Sequence, residues 1–294
     1  MDVLENQNRG AMYLSSKVAI VEFDEDVEEA LRRAFELIGK IDDLNTTEKN
    51  VAIKVGVFDH KAETHTTVRV VDAIIKSFSK APKIFVAESN NYRGNGLERL
   101  QIWKELFTER VVPFNLSDDT DTRKVKIVDE EIDFSHILFK PNVLVSTHVL
   151  RAFEKGSILK NLLGLIPDPK KARFHKKLET VLLDAYEAIG GIDLAVLDGT
   201  YTYRGAGAMP HAGPDSTRYR IKTNTLVVGR DAVAVETVGA TLAGLNPDKM
   251  PAIQDAVERD LGEGHLEKIE ILGTPVEAAK EKFSSAMKTL KAKK

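Results

Sequence analysis

The chain alternates between short runs of aliphatic and β-branched residues and longer stretches in which apolar residues recur every three or four positions. In the stretch after Asp26, for example, Val27, Leu31, Ala34 and Ile38 share one face of a helix. The short apolar runs predict strands over Lys17–Phe23, Val51–Val57, Lys83–Glu88, Val125–Val128, Val143–Ser146, Ile192–Leu197, Thr225–Val228 and Ile269–Leu272. Strands that alternate with helices are typical of α/β proteins, so we expect a mostly parallel sheet flanked by helices.

The first strand begins at Lys17, and we therefore expect residues 1–16 to be an N-terminal extension. Residues 17–294 contain no internal repeat, and we expect them to form a single α/β domain. A division of this domain into two Rossmann-like lobes, with a cleft at the C-terminal ends of the strands, is left open.

The composition narrows the classes of function. The chain has no cysteine, which excludes disulfides, a cysteine-ligated iron–sulfur cluster and a cysteine nucleophile. Lys and Arg number 42 and Asp and Glu 45, a near balance that gives no reason to expect a nucleic-acid partner. The N-terminus lacks the order of a signal peptide, and no apolar run reaches the roughly 18–20 residues of a membrane span. We expect a cytoplasmic protein with no membrane contact, and leave open whether it forms a homo-oligomer.

Polar residues collect where the predicted strands end. In open α/β sheets, ligands bind beyond the carboxyl ends of the strands, because loops and helix N-termini converge there. The residues that follow these strand ends include His60 and His65, Glu88 with Asn90 and Arg93, His148, Asp198 with Arg204 and His211, and Asp231. We therefore predict one polar site at this edge of the sheet.

Several of these residues have a plainer interpretation. His60 and His65, with His148, are candidate ligands of a divalent metal, but loop histidines are more often simply exposed. The segment Asn90–Gly96 is suited to cradling an anion through side chains and backbone N–H groups, or is only a glycine-rich turn before a helix. Neither a dinucleotide-binding G-x-G-x-x-G fingerprint nor a phosphate-binding P-loop occurs in the chain.

Lys160 and Asn161 interrupt an apolar segment, Ile158–Ile166. A charged amine is costly there unless it is paired or lines a site, although a surface lysine can also extend its amine into water. Asp198 ends a strand, where a carboxylate serves as a ligand, a cap or a catalytic group. Asp231 stands where a helix N-cap is expected, and Glu236 lies just over a turn later, where exposure is an alternative.

Several short elements follow one another in the second half of the chain: Thr147-His148, Lys160-Asn161-Leu162-Leu163-Gly164, Lys171 with His175, Asp198-Gly199, Gly213-Pro214 and the helix start Asp231–Glu236. Together they resemble the domain-of-unknown-function family 362, a prokaryotic family. The resemblance covers about residues 50–262 and is looser in the first half, where Lys54, Thr64-His65-Thr66 and Glu88-Ser89 match.

The chain also departs from that family's pattern. Val55-Gly56 follows Lys54 in place of Pro-Asn, residue 146 is Ser where Lys is frequent, and Glu236 replaces Asp. Many relatives resemble iron–sulfur proteins, but this chain lacks both the cysteine-rich part and any cysteine. The resemblance implies a fold and a site, and it implies no particular reaction.

The first functional hypothesis is an enzyme that acts on a small anionic metabolite. His148 and His175 are the acid–base candidates, Lys160 contacts the anion, and Asp198 orients a histidine or holds a metal. The substrate-binding candidates are Lys54, His65, Glu88, Asn90, Arg93, Asn161, Arg204, His211 and Asp231. The alternatives are a non-catalytic protein that binds a metal, cofactor or metabolite, and a structural component of an assembly.

Overall fold

One eight-stranded sheet forms the centre of the molecule. We analysed a computed structural model, which describes residues 16–60, 64–203 and 220–292. The strands are β1 Lys17–Glu22, β2 Val51–Val55, β3 Ile84–Glu88, β4 Val111–Asn115, β7 Val143–Val149, β8 Leu194–Tyr203, β9 Arg220–Gly229 and β10 Glu270–Gly273, and a separate hairpin contains β5 Thr122–Ile127 and β6 Glu130–Ser135. The helices are α1 Val27–Leu37, α2 Val68–Ser77, α3 Gly96–Leu100, α4 Ile158–Asn161, α5 Leu178–Ala188, α6 Ala232–Leu242, α7 Pro251–Glu258 and α8 Val276–Ala292.

The strands follow the order β10-β1-β9-β8-β7-β2-β3-β4 across the sheet. Only β9 is antiparallel to its neighbours, and every other adjacent pair is parallel. This confirms the predicted mostly parallel sheet flanked by helices. Two Rossmann-like lobes are not confirmed, because strands from both halves of the chain join one continuous sheet.

Alternation along the strands gives the sheet two apolar faces. In β2, Val51, Ile53 and Val55 pack with α1 and α2 on one face, whereas Ala52 faces the core formed with α5 and α6. Lys54 has the same parity as Ala52 and is 1% exposed. A lysine therefore occupies a core position at the end of a central strand.

The chain leaves the neighbouring strands β2 and β7 toward opposite edges of the sheet. From β2 the chain passes through α2 to β3 on one side, and from β7 it passes through α4 and α5 to β8 on the other. These connections cover opposite faces of the sheet, because α2 packs in one core and α5 in the other. The C-terminal ends of β2 and β7 therefore border the switch point, where open α/β sheets form a crevice.

The pattern of apolar runs does not predict the strands β4 and β6. β4 lies at the edge of the sheet and includes Pro113, which an edge strand tolerates because one side needs no hydrogen bonds. After β3 the chain forms the short α3 and then a 3-10 helix, Gln101–Leu106. Ser16, the last residue of the predicted extension, is buried and its hydroxyl donates to Asp231.

No helix in the described part of the chain is both long enough and apolar enough to cross a membrane.

Candidate functional site

Lys54 forms the centre of a buried polar network at the switch point. Its amine donates to the Val55 carbonyl at 2.8 Å, to Asn161 Oδ1 at 2.8 Å and to Glu88 Oε2 at 3.1 Å. Burial lowers the pKa of the Lys54 amine, and the charge of Glu88 opposes this effect. Because all three donor hydrogens have acceptors, Lys54 mainly holds the surrounding elements together.

Glu88 lies between two basic side chains. Besides Lys54, its carboxylate lies 3.5 Å from the guanidinium of Arg99 and accepts a hydrogen bond from the Ser89 backbone N–H at 2.8 Å. Arg99 is 1% exposed and donates to the carbonyls of Val57 and Ser89. Glu88 thus balances two buried positive charges and links the ends of β2 and β3.

Asn161 connects α4 to the ends of β2 and β7. Its amide nitrogen donates to the Lys54 carbonyl at 3.2 Å, to Ser146 Oγ at 3.2 Å and to the Thr147 carbonyl at 3.3 Å. A Cβ at Gly164 would lie 2.6 Å from the Lys54 amine, so glycine is required where this segment crosses the lysine. The segment Lys160–Gly164 therefore packs closely against the Lys54 side chain.

Lys160 and Arg151 differ from these groups because no described residue accepts a hydrogen bond from either side chain or forms an ion pair with it. Both are half-buried, and the Nε of Arg151 is fully enclosed. Burial lowers the pKa of Lys160 to about 8, with further contributions from the charges of Arg151 and Lys54. Burial also lowers the pKa of Arg151 to about 10, although the Glu236 carboxylate opposes this.

Lys171 is a third lysine of the site. It begins the 3-10 helix Lys171–Lys177, is 8% exposed, and donates to Ser89 Oγ at 2.5 Å. Burial lowers its pKa to about 7; Glu88 opposes the shift, while Lys54, Arg99 and Lys160 add to it. We call Lys54, Arg99, Arg151, Lys160 and Lys171 the cationic cluster.

His148 lies on β7 beside this cluster. Its Nδ1 lies 3.1 Å from the Val149 carbonyl, which makes Nδ1 the protonated nitrogen and leaves the lone pair on Nε2. Burial holds the pKa of His148 well below its usual value, and the charges of Arg151 and the two nearby lysines lower it further. A Cβ at Gly56 would lie 2.2 Å from the imidazole, so glycine at the end of β2 leaves room for the ring.

Other predicted site residues mainly support the fold around this centre. Asp198 accepts from the backbone N–H groups of Thr67, at the start of α2, and Thr200. Asn90 accepts from the Gly96 backbone and the Asn115 amide and so shapes its loop. Asp231 is the N-cap of α6, as predicted, and accepts from Val233 and Ala234.

Further predicted residues lie apart from the cluster's contacts. Arg93 is exposed beside Tyr92, and His175 is exposed on the 3-10 helix that Lys171 begins. The imidazole of His65 makes an edge-on contact with Trp103. Arg204 and His211 lie outside the described residues.

The described residues contain no group of three or more His, Cys, Asp or Glu side chains arranged to hold a metal ion. His60 lies in the loop after β2, His65 packs on Trp103, and His148 faces Gly56. These three histidines do not form a ligand set with one another, and their role as metal ligands stays a prediction.

The sequence did not single out Arg151, Lys171 or Glu236 as site residues. Arg151 lies two residues beyond the end of β7, so extending the search along that strand end would have found it. Glu236 is buried, and its carboxylate accepts from the backbone N–H groups of Ser157 and Leu159. Desolvation raises its pKa. The burial and the hydrogen bonds of Glu236 depend on how α4 packs against α6, and no local sequence pattern indicates this packing.

The fold and site together define an α/β protein with a cationic cluster at the switch point of its sheet. A family model described as Domain of unknown function (DUF362) matches residues 51–241, and the chain belongs to this family. The match extends from β2 into α6 and includes every residue of the cationic cluster. No curated protein matches the sequence.

Proposed function

We propose that the protein is a cytoplasmic enzyme that acts on a small anionic metabolite bound at the cationic cluster. The proposal rests on the burial of Lys160 and Arg151 and on the absence of acceptors for their side chains among the described residues. Both are half-buried, and neither has an acceptor among the described residues. The Arg151 guanidinium lies 5.1 Å from the centre of the Phe153 ring, but a ring does not accept its hydrogen bonds as an anion does. A partly desolvated cation without an anionic partner is costly, and a bound anion would offset that cost.

The charges around the site support an anionic ligand. Two carboxylates act on the five basic residues of the cationic cluster: Glu88 pairs with Lys54 and Arg99, and the charge of Glu236 acts on Arg151. The remaining positive charge fits a carboxylate or a phosphate ester. The whole chain is nearly neutral, so this excess is local and fits a small molecule better than a nucleic acid.

The acid–base groups support catalysis at neutral pH. His148 is neutral and has a free lone pair on Nε2, which suits a general base. Lys171, with a pKa of about 7, replaces the exposed His175 as the second acid–base candidate. Lys160 would bind the anion beside them.

Inorganic phosphate is the first probe for this proposal. We expect the full-length protein to bind phosphate in isothermal titration calorimetry. We expect Lys160→Met and Arg151→Met to weaken binding about tenfold or more, since a charged hydrogen bond contributes about 1.5–3 kcal/mol. Lys176→Met, at an exposed position on the neighbouring 3-10 helix, is the control and should bind as the wild type does.

Native mass spectrometry of the purified protein would then identify a co-purifying anion. Conversion of that anion on incubation supports an enzyme, whereas retention without conversion supports the alternative of a binding protein. Phosphate binding that is equal in the wild type, Lys160→Met and Arg151→Met would contradict the proposed site.

A further inference from the structure

The three lysines of the site differ in what their amines contact. Lys54 donates to Glu88 and Asn161, and Lys171 donates to Ser89. Lys160 is more exposed than these two, and no described residue accepts from its amine. Lys160 is therefore the lysine that a ligand can reach and whose nitrogen is not engaged by the fold.

An amine must be neutral before its nitrogen can attack a carbon atom. With a pKa of about 8, about one Lys160 amine in ten is neutral at pH 7. An ordinary lysine, with a pKa near 10.4, is neutral in roughly one molecule in a few thousand. Desolvation beside other cations is a known way to make a lysine nucleophilic.

We propose that Lys160 forms an imine with the carbonyl carbon of a small oxo acid whose carboxylate binds Arg151. The neutral amine attacks the carbonyl carbon, and a C=N bond replaces the C=O bond. The carbonyl oxygen leaves as water with both hydrogens of the amine, so the step needs no oxidant or reductant. This inference rests on the proposed function and names the substrate class of the same site.

Arg151 supplies the reason for choosing an oxo acid over a neutral carbonyl compound. Its guanidinium is planar and matches a carboxylate with two parallel hydrogen bonds. No described residue accepts a hydrogen bond from its donors. It follows β7, and the Thr147 carbonyl of that strand accepts from Asn161, the residue next to Lys160. The charge of Arg151 also lowers the pKa of Lys160. A ligand with a carboxylate next to an electrophilic carbon would engage both side chains at once.

Reductive trapping tests the imine directly. The full-length protein is incubated with pyruvate and sodium cyanoborohydride near neutral pH, digested, and mapped by mass spectrometry. We expect the reduced pyruvate adduct mainly at Lys160, in at least about tenfold excess over exposed lysines such as Lys176, because their amines are protonated. Adduct at Lys171, or spread evenly over exposed lysines, would overturn the proposal.

Two variants test the roles of Lys160 and Arg151. Lys160→Arg keeps the positive charge but cannot form an imine, so the adduct at position 160 should be lost, whereas Lys176→Arg should leave it unchanged. Arg151→Met should lower the ratio of pyruvate labelling to acetaldehyde labelling about tenfold, because acetaldehyde has no carboxylate. An unchanged ratio would remove Arg151 from the proposal.

The wild type distinguishes this proposal from the proposed function. If it binds phosphate but forms no adduct at Lys160, the imine is wrong and the anion site stands. If it neither binds phosphate nor forms the adduct, both proposals fail. Circular dichroism of each variant verifies that it is folded.

Discussion

Glu88 is the only carboxylate that touches the two innermost cations among the described residues. It lies 3.1 Å from the Lys54 amine and 3.5 Å from the Arg99 guanidinium, and all three side chains are almost fully buried. Removing a cation leaves Glu88 with one partner. Removing the carboxylate charge leaves two cations that repel each other in a medium of low dielectric.

We therefore predict unequal costs for two substitutions of this network. Glu88→Gln should lower the free energy of unfolding by about 3–5 kcal/mol, the cost of breaking a buried pair. Lys54→Met should cost less, about 1–3 kcal/mol, because Arg99 still compensates Glu88. Urea unfolding measures both, and exposed Glu258→Gln is a control that should change stability by less than about 0.5 kcal/mol. A smaller loss for Glu88→Gln than for Lys54→Met would contradict this ranking.

Individual site residues could be predicted where a polar side chain interrupts an apolar segment. Lys160 and Asn161 interrupt the apolar segment Ile158–Ile166, and the structure brings both to the site. Arg151 lies two residues beyond the end of β7, where a longer search along the strand end would have found it. Lys171 lies in a polar segment whose composition does not distinguish it. Burial lowers the pKa of both side chains, and for Lys171 the charges of Lys54, Arg99 and Lys160 lower it further.

At the scale of elements, α4 is a single turn of helix that α6 holds in place. Glu236 on α6 accepts from the backbone N–H groups of Ser157 and Leu159 at the start of α4. Gly156, with φ of +87°, precedes this turn, and a Cβ there would lie 3.0 Å from the Glu236 carboxylate. A helix this short has little stability of its own, so the contact with Glu236 helps to orient Lys160 and Asn161.

Glu236→Ala tests this support. It should lower the free energy of unfolding by about 1–3 kcal/mol, because buried N–H groups lose their acceptor. Hydrogen exchange of the Ser157 and Leu159 amides should become faster, whereas exposed Glu258→Ala should leave it unchanged. Equal protection of these amides in both variants would show that Glu236 does not support α4.

Strands were predictable where they are central, and less so at the edge. β2 and β7 are apolar because both faces of the sheet are covered there. β4 is half-buried and contains Pro113. In β6 the buried Ile132 and Phe134 alternate with exposed carboxylates, so neither strand has a continuous apolar run. The antiparallel direction of β9 depends on its long pairing with β8, which spacing alone does not indicate.

For the whole molecule, the cationic cluster makes stability depend on pH. Folding lowers the pKa of Lys160 to about 8 and of Lys171 to about 7, from an unfolded value near 10.4. Between about pH 7 and pH 10 the unfolded chain thus binds more protons at these two positions, and their contribution to stability rises with pH. Below about pH 7 both are charged in either state, and the full cost of burying the charges is present.

We predict that Lys171→Met flattens this dependence. The free energy of unfolding in urea, measured from about pH 6 to about pH 9, should rise less steeply in the variant than in the wild type. Exposed Lys176→Met should retain the wild-type slope. If Lys171→Met retains that slope as well, Lys171 titrates in the folded protein as an ordinary lysine does.

The position of β1 in the sheet has a consequence for how the chain is made. Its two neighbours are β9 and β10, with Val18 opposite Gly229 and Lys17 opposite Glu270. A growing polypeptide therefore exposes the segment Lys-Val-Ala-Ile-Val-Glu with two open edges until β9 and β10 have left the ribosome. Open apolar edges invite pairing with other chains, so synthesis is the stage at which this protein most needs protection by chaperones.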